Sequence, residues 1–200
     1  GLGPRAGVMP PWFVERDLGI QHFKDDPSLS EGEIATIARW ADRGAPMGNP
    51  ADMPPLIDFD RTGGWTIGEP DLVLRSPNVT LPAVGPDRWG SIGMVPTGLT
   101  EDRWVSAVEV REVNDIPRDG PTTTVGGRYV FHHMTYSSLV PGDRESPETS
   151  WPIHEVGRNP DIFPATAGRL LAASSSLSGS ATHLHSNGRE TTGYLEFGFE

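Results

Sequence analysis

Four of the six histidines form two tight clusters: His132 directly precedes His133, and His183 stands two residues before His185. Residues at i and i+2 of a strand share one face, so His183 and His185 could chelate one ion without distortion. His132 and His133 would point to opposite faces of a regular strand. They could converge only at a bulge, at a strand end, or through different ring nitrogens. Because neutral imidazole is the commonest metal ligand, the spacing predicts a nitrogen-ligated transition-metal site. The alternative is a set of ordinary strand histidines satisfied by hydrogen bonds.

A complete site needs further ligands beyond the two histidine pairs. His154 could complete a three-imidazole set with His132 and His133, while a thioether could complete the second pair. The candidate thioethers are Met134, Met94 and Met47. Such ligand sets suit copper, zinc or iron, and copper tops the divalent affinity order, so we expect one or two copper ions, with zinc as the alternative. Three side chains near the clusters in sequence are candidates to orient the imidazoles: Glu155, Asp143 and Tyr136.

Composition limits the functions that the chain can carry. It has 200 residues, a formal net charge of -11 and no cysteine. The lack of cysteine excludes disulfides, cysteine–zinc sites and thiol catalysis within this sequence. No run of Lys or Arg exists, so neither a nucleic acid nor an anionic lipid surface is an expected partner. No stretch approaches the ~20 apolar residues of a transmembrane segment, and no signal peptide is visible.

The N-terminal part of the sequence contains one clear helix signal, over residues 30–43. Ser30 and Glu33 have the spacing of a capping box, and apolar residues follow at helical intervals. Gly44 is the expected stop. A Pro- and Gly-rich linker comes next, which places the domain boundary near residue 60.

Residues 61–200 have a β pattern, whereas residues 1–60 form a short helical and loop segment. Strands are expected where apolar residues are bounded by Gly and Pro, over 72–74, 91–95, 103–113, 129–136, 168–172, 180–185 and 194–199. The last strand alternates, with Leu195, Phe197 and Phe199 expected to face inward. Because no helices separate these strands, the sequence predicts a mainly β protein with an antiparallel, jelly-roll-like β-sandwich.

The histidine motifs resemble those of a known enzyme family. The Phe-His-His-Met run at 131–134 and the Thr-His-Leu-His run at 182–185, with Gly188 and Gly193-Tyr194, look like the copper motifs of the ascorbate-dependent type II copper monooxygenases. That family includes the peptidylglycine alpha-hydroxylating and dopamine beta-monooxygenases, and its fold is a pair of jelly-roll sandwiches with one copper each. The resemblance implies that His132 and His133, with His154 as third ligand, hold an electron-donating copper. It assigns His183 and His185 to an oxygen-activating copper.

The N-terminal segment resembles the C-terminal end of a c-type cytochrome domain, as found in bacterial proteins where such a domain precedes a monooxygenase-like region. The similarity is carried by the Met-Pro-Pro-Trp run that begins at Met9, and by the residues from Phe23 to Pro46. It implies that Met9 is a distal haem ligand if a haem-binding part lies upstream. Haem c would need sequence outside this chain, because no Cys-x-x-Cys-His motif is present.

Together these resemblances imply an exported or periplasmic copper-binding redox protein and, if it is an enzyme, a copper-dependent monooxygenase that hydroxylates C–H bonds with O2. The sequence departs from the family pattern in one respect that weighs against two-copper chemistry. Only 50 residues separate His133 from His183, much less than in the animal enzymes of the family. The first alternative is therefore a non-catalytic β-sandwich accessory subunit of a periplasmic or membrane electron-transfer complex, respiratory or photosynthetic. The second is a copper- or zinc-binding module without turnover. In each case a redox partner or a larger membrane-associated complex is the expected partner.

Overall fold

A computed structural model of the protein describes residues 19, 28–55, 64–117, 125–143, 148–157 and 160–200. The chain divides into two units, Gly1–Phe59 and Asp60–Glu200. No helix within the described ranges is both long and apolar enough to cross a membrane. Met9, the residue that the cytochrome resemblance singles out, lies outside the described residues.

The first unit contains the expected helix, α1 (Glu31–Asp42), followed by a short 3-10 turn at Pro50–Asp52. The capping box is present, because the Ser30 Oγ accepts from the Glu33 N–H at 3.3 Å and the Glu33 carboxylate accepts from the Ser30 N–H at 2.7 Å. Gly44 follows the helix with φ +82°, a conformation that favours glycine. The prediction for this helix is confirmed at both ends.

Within the described residues, the regular elements of the second unit are antiparallel strands and one helical turn, α2 (Val125–Arg128). The strands are β1 (Leu72–Arg75), β2 (Val79–Leu81), β3 (Arg88–Gly90), β4 (Met94–Pro96), β5 (Arg103–Val105), β6 (Ala107–Asn114), β7 (Phe131–Leu139), β8 (Thr149–Ser150), β9 (His154–Glu155), β10 (Pro160–Ile162), β11 (Arg169–Leu171), β12 (Ser176–Leu184) and β13 (Thr191–Phe199).

Among the described residues these strands form two main sheets. Sheet I has the order β1-β13-β6-β10, with β2 also paired to β13. Sheet II has the order β3-β12-β7-β8, with β4 also paired to β12 and β9 to β7. A small separate sheet joins β5 to β11.

The two main sheets share one hydrophobic core between their inner faces. On β13 the alternation is as predicted, since Leu195, Phe197 and Phe199 are all buried. From sheet II, Tyr136 packs its ring 5.3 Å from that of Phe197, and Trp151, next to β8, lies 5.1 Å from Phe199. Burial of such aromatic and aliphatic surface is the main force that holds the sheets together. The prediction of a mainly β, antiparallel sandwich is confirmed.

The segment that precedes β1 covers part of the outer face of sheet I, around Gly198 and Glu109. A Cβ added to Gly198 would lie only 2.7 Å from the Trp65 ring and 2.8 Å from Pro70, so this glycine permits the close approach. Glu109, beside Gly198 in the sheet, is 1% exposed. Its carboxylate accepts hydrogen bonds from the N–H groups of Thr66 (2.6 Å) and Ile67. A buried carboxylate is thereby satisfied by backbone donors.

Several predicted strands have different bounds in the structure, and for two of them local hydrogen bonds explain the difference. The strand expected over 103–113 is interrupted at Ser106, whose Oγ and N–H both donate to the Glu200 carbonyl, so that β5 leaves sheet I and pairs with β11. The strand expected over 91–95 begins only at Met94. Before it, the Ser91 Oγ accepts from the Gly93 N–H in a turn where Gly93 has φ +86°.

Candidate metal centre

A β-bulge in sheet II brings His132 and His133 to the same face. In the antiparallel pairing of β7 with β12, His133 lies opposite His183, and Phe131 lies opposite Leu184. His132 is therefore the extra residue on β7, which rotates it out of the regular alternation. Both histidines are half-buried, while their neighbours Phe131 and Met134 are fully buried in the core. Of the three ways for this pair to converge that the sequence left open, the structure shows the bulge.

Three imidazoles meet on the outer face of sheet II. One ring nitrogen from each of His132, His133 and His183 lies within 4.8 Å of the others. The ring centroid of His132 is 4.1 Å from that of His133 and 5.1 Å from that of His183. Two nitrogens on one ion at ~2.0 Å each are at most ~4 Å apart, so small ring rotations are enough to enclose a metal. The residues fit a three-imidazole metal site.

The free nitrogens of this group are shielded from solvent. The Nδ1 atoms of His132, His133 and His183 are buried and have no hydrogen-bond partner among the described residues. An unsatisfied buried nitrogen is costly in a structural histidine, whereas its lone pair is what a metal ion needs. Burial, and then the neighbouring imidazoles, lower the pKa of His132, while the carboxylate of Asp87 opposes this change. The neutral, metal-binding form of His132 is therefore favoured.

His183 is held by contacts on two sides. Its Nε2 donates a hydrogen bond to the Asp87 Oδ2 at 2.8 Å, which leaves Nδ1 as the nitrogen with a lone pair. Its ring stacks on Trp89 of β3, with centroids 4.4 Å apart and planes inclined by 2°. Trp89, His183, His133 and Glu155 are successive cross-strand partners on β3, β12, β7 and β9. They form a row that crosses the outer face of sheet II.

His185 lies just beyond the end of β12 and outside the three-imidazole group. Its Nε2 donates to the Tyr129 carbonyl oxygen at 2.8 Å. Its ring centroid is 5.3 Å from that of His132 and 6.5 Å from that of His183. It therefore borders the group instead of forming a separate pair with His183.

His154 faces the opposite side of sheet II. It lies opposite Met134 in the β7–β9 pairing, and directly opposed residues share a face, so its side chain is on the core side. It is buried, and burial, followed by the proximity of His133, lowers its pKa to about 4. The family resemblance implies that His154 joins His132 and His133 as a third ligand. In the structure His154 lies on the other face of the sheet, away from that group.

The other expected ligands and orienting groups are also spread over the fold. Met134 is buried in the core, and Met47 belongs to the first unit. Met94, on β4, lies opposite Ser178 of β12. Three side chains were candidates to orient the imidazoles. Tyr136 is a core residue, and burial raises its pKa. Asp143 follows the C-terminal end of β7. Glu155 is exposed and lies opposite His133.

One shared group replaces the two sets that the resemblance implied. Because β7 and β12 are adjacent in sheet II, the two histidine clusters meet instead of occupying separate sandwiches. The residues that hold the imidazoles, Asp87, Trp89 and Tyr129, were missed by sequence reasoning. No periodicity or spacing connects Asp87 and Trp89 to His183. Only the pairing of β3 with β12 does so.

Comparison of the chain with protein-family models, with curated proteins and with solved structures finds no match in any of the three.

Proposed function

We propose that this protein is a copper-binding redox protein that holds one ion through His132, His133 and His183. The observation that carries the proposal is the convergence of three half-buried imidazoles, each with a buried Nδ1 that has no hydrogen-bond partner in the part of the chain that the structure describes. A set of neutral nitrogen ligands without thiolate suits copper, and copper is the strongest competitor for such a site. The resemblance to copper monooxygenases supports the same ion and adds an exported or periplasmic location.

The chain's own residues supply coordination and orientation. The bulge directs His132 and His133 to one face, and the hydrogen bond that His183 donates to Asp87 fixes the ring of His183. Copper, when bound, supplies one-electron redox chemistry. The site lies on the outer face of sheet II beside Trp89, a residue that is 65% exposed.

Two functions are compatible with such a site. Hydroxylation of C–H bonds with O2 is the activity that the family resemblance implies. The second candidate is a non-catalytic subunit that transfers electrons within an exported or membrane-associated complex. This candidate is favoured by one observation: within the described residues the histidines form a single three-imidazole group, whereas the resemblance implies two coppers.

The metal site is tested by loading the full chain with Cu(II) and measuring stoichiometry, affinity and the electron paramagnetic resonance spectrum. We expect one copper per chain, with nitrogen hyperfine structure from imidazole ligands. Loss of a ligand should cost more than the roughly 10–100-fold typical of an outer-shell change, so His183→Ala should weaken Cu(II) binding by at least about 100-fold. His185→Ala is the matched control and should keep most of the affinity, because that ring is already bonded to Tyr129.

Equal binding by the unmodified chain and His183→Ala would refute the proposed site. Tighter binding of zinc than of copper under competition would refute the assignment of the ion. Transfer of an oxygen atom from labelled O2 into an added C–H substrate, with ascorbate as the two-electron donor, then separates the two functions. A monooxygenase-like site forms the labelled alcohol and water, whereas an electron-transfer subunit forms no labelled alcohol even if its copper oxidises ascorbate.

A further inference from the structure

Within the described residues, the carboxylate of Asp87 hydrogen-bonds to the three-imidazole group. Asp87 stands one residue before β3, and its Oδ2 is 2.8 Å from the Nε2 of His183. The His183 side chain is 14% exposed, whereas that of Asp87 is 61% exposed. The carboxylate therefore stays partly in water and pays little desolvation, while the imidazole that it contacts is sheltered.

This contact decides which nitrogen of His183 is available. A carboxylate only accepts hydrogen bonds, so the His183 Nε2 must carry the proton and Nδ1 must carry the lone pair. The parallel indole of Trp89 fixes the plane of the same ring. The Nδ1 of His183, like those of His132 and His133, is buried and has no hydrogen-bond partner within the described residues. One ring nitrogen from each of these three histidines lies within 4.8 Å of the others.

We propose that Asp87 is a positioning residue that presents the Nδ1 of His183 to the metal and favours the more highly charged state of the ion. This inference rests on the proposed copper site. A carboxylate bonded to a ligating imidazole makes that imidazole more basic and holds its orientation. Its negative charge also stabilises Cu(II) more than Cu(I), because the attraction scales with the charge of the ion.

Glu155 provides a matched comparison. It is also a carboxylate next to the group, because it lies opposite His133 on β9, and it is exposed. Within the described residues its side chain makes no hydrogen bond to an imidazole. If Asp87 acts only as a nearby negative charge, removal of either charge should have similar effects. If it acts through His183, only the change at Asp87 should matter.

The experiment compares Asp87→Asn, Asp87→Glu and Glu155→Gln with the unmodified full chain. Asn keeps an acceptor oxygen but loses the charge. Because Asp87 is exposed, we expect the variants to fold normally, and far-ultraviolet circular dichroism checks this. Affinities for Cu(II) and Cu(I) are measured with competing chelators, and the reduction potential by voltammetry.

For Asp87→Asn we expect a loss of Cu(II) affinity of about 10–100-fold. The loss of Cu(I) affinity should be about tenfold smaller, which corresponds to a rise in potential of about 59 mV for one electron. Asp87→Glu should recover most of the original potential. Glu155→Gln should change Cu(II) affinity by less than about fivefold, as for other exposed charges.

The outcomes separate this inference from the proposed function. If the unmodified chain binds copper but Asp87→Asn matches Glu155→Gln in affinity and potential, the role of Asp87 is refuted and the copper site stands. Equal losses for Cu(II) and Cu(I) in Asp87→Asn would refute the preference for the higher charge. Failure of the unmodified chain to bind copper would overturn both the site and this inference.

Discussion

The carboxylate of Glu112, on β6 of sheet I, accepts a hydrogen bond from the backbone N–H of Phe131, the first residue of β7 in sheet II, at 2.9 Å. The same carboxylate also accepts from the Val130 N–H at 3.0 Å. It therefore ties the two sheets together one residue before the bulge at His132. Burial raises the pKa of Glu112 above its ordinary value. The hydrogen bonds from Phe131, Val130 and Asn114 oppose this rise but do not cancel it.

We expect Glu112→Ala to destabilise the protein by about 2–4 kcal/mol, because two sheltered N–H groups lose their acceptor. Glu112→Gln should cost clearly less, since its amide oxygen can still accept. Urea unfolding of the metal-free protein measures both changes. Similar stability for the two variants would mean that this carboxylate does not hold the start of β7.

His154 should make the stability of the metal-free protein depend on pH. Burial lowers its pKa to about 4, below the ordinary value of 6.5. As the pH falls below 6.5, the unfolded chain takes up a proton that the folded chain refuses, so stability is full above pH 6.5 and is lost toward pH 4. Between pH 7 and pH 5 the loss from this residue should be about 2 kcal/mol.

Urea unfolding at pH 7 and pH 5 checks this expectation against His154→Gln. The variant lacks the titrating group, so its stability should fall less over the same interval, whatever its absolute stability. Because both proteins contain His132, its contribution to the pH dependence cancels when the two changes in stability are subtracted. An identical pH dependence in the two proteins would contradict a neutral, buried His154.

Trp89 should report on the ion through its stack with His183. Cu(II) quenches the fluorescence of nearby indoles, and the Trp89 and His183 rings are 4.4 Å apart. The chain has six tryptophans, so the contribution of this residue is taken as the difference between the unmodified protein and Trp89→Phe. We expect the copper-induced quenching to be much smaller in the variant.

The same stack should also contribute to affinity. Aromatic pairs contribute about 0.5–1.5 kcal/mol, so Trp89→Ala should weaken Cu(II) binding by roughly 2–10-fold while Trp89→Phe retains most of it. Chelator competition measures both. Unchanged affinity in Trp89→Ala would show that the indole does not stabilise the orientation of His183.

The elements that depend on local patterns could be predicted from the sequence. The capping box of Ser30 and Glu33 defines α1, and the alternation of Leu195 and Phe197 on β13 identifies its buried face. The sequence also indicates that His132 and His133 can converge only through a bulge, a strand end or different ring nitrogens, because adjacent residues of a regular strand cannot share a face. In each case the deciding interactions lie within a few residues.

The composition of the site could not be predicted, because it depends on which distant strands pair. The two histidine clusters were assigned to separate ions, yet the β7–β12 pairing places His183 directly opposite His133. Asp87 precedes a three-residue strand that has no clear apolar alternation, and its role follows only from the pairing of β3 with β12. His154 stands in a two-residue strand, too short for its face to be deduced from sequence.

The close packing of Trp65 and Pro70 over Gly198 gives the sandwich two unlike sides. Within the described ranges the segment around Trp65 covers part of one side, while the other side displays the row of Trp89, His183, His133 and Glu155. A partner of the proposed copper site is therefore expected to contact the outward-facing side chains of β3, β12, β7 and β9, and changes to those side chains can map its footprint.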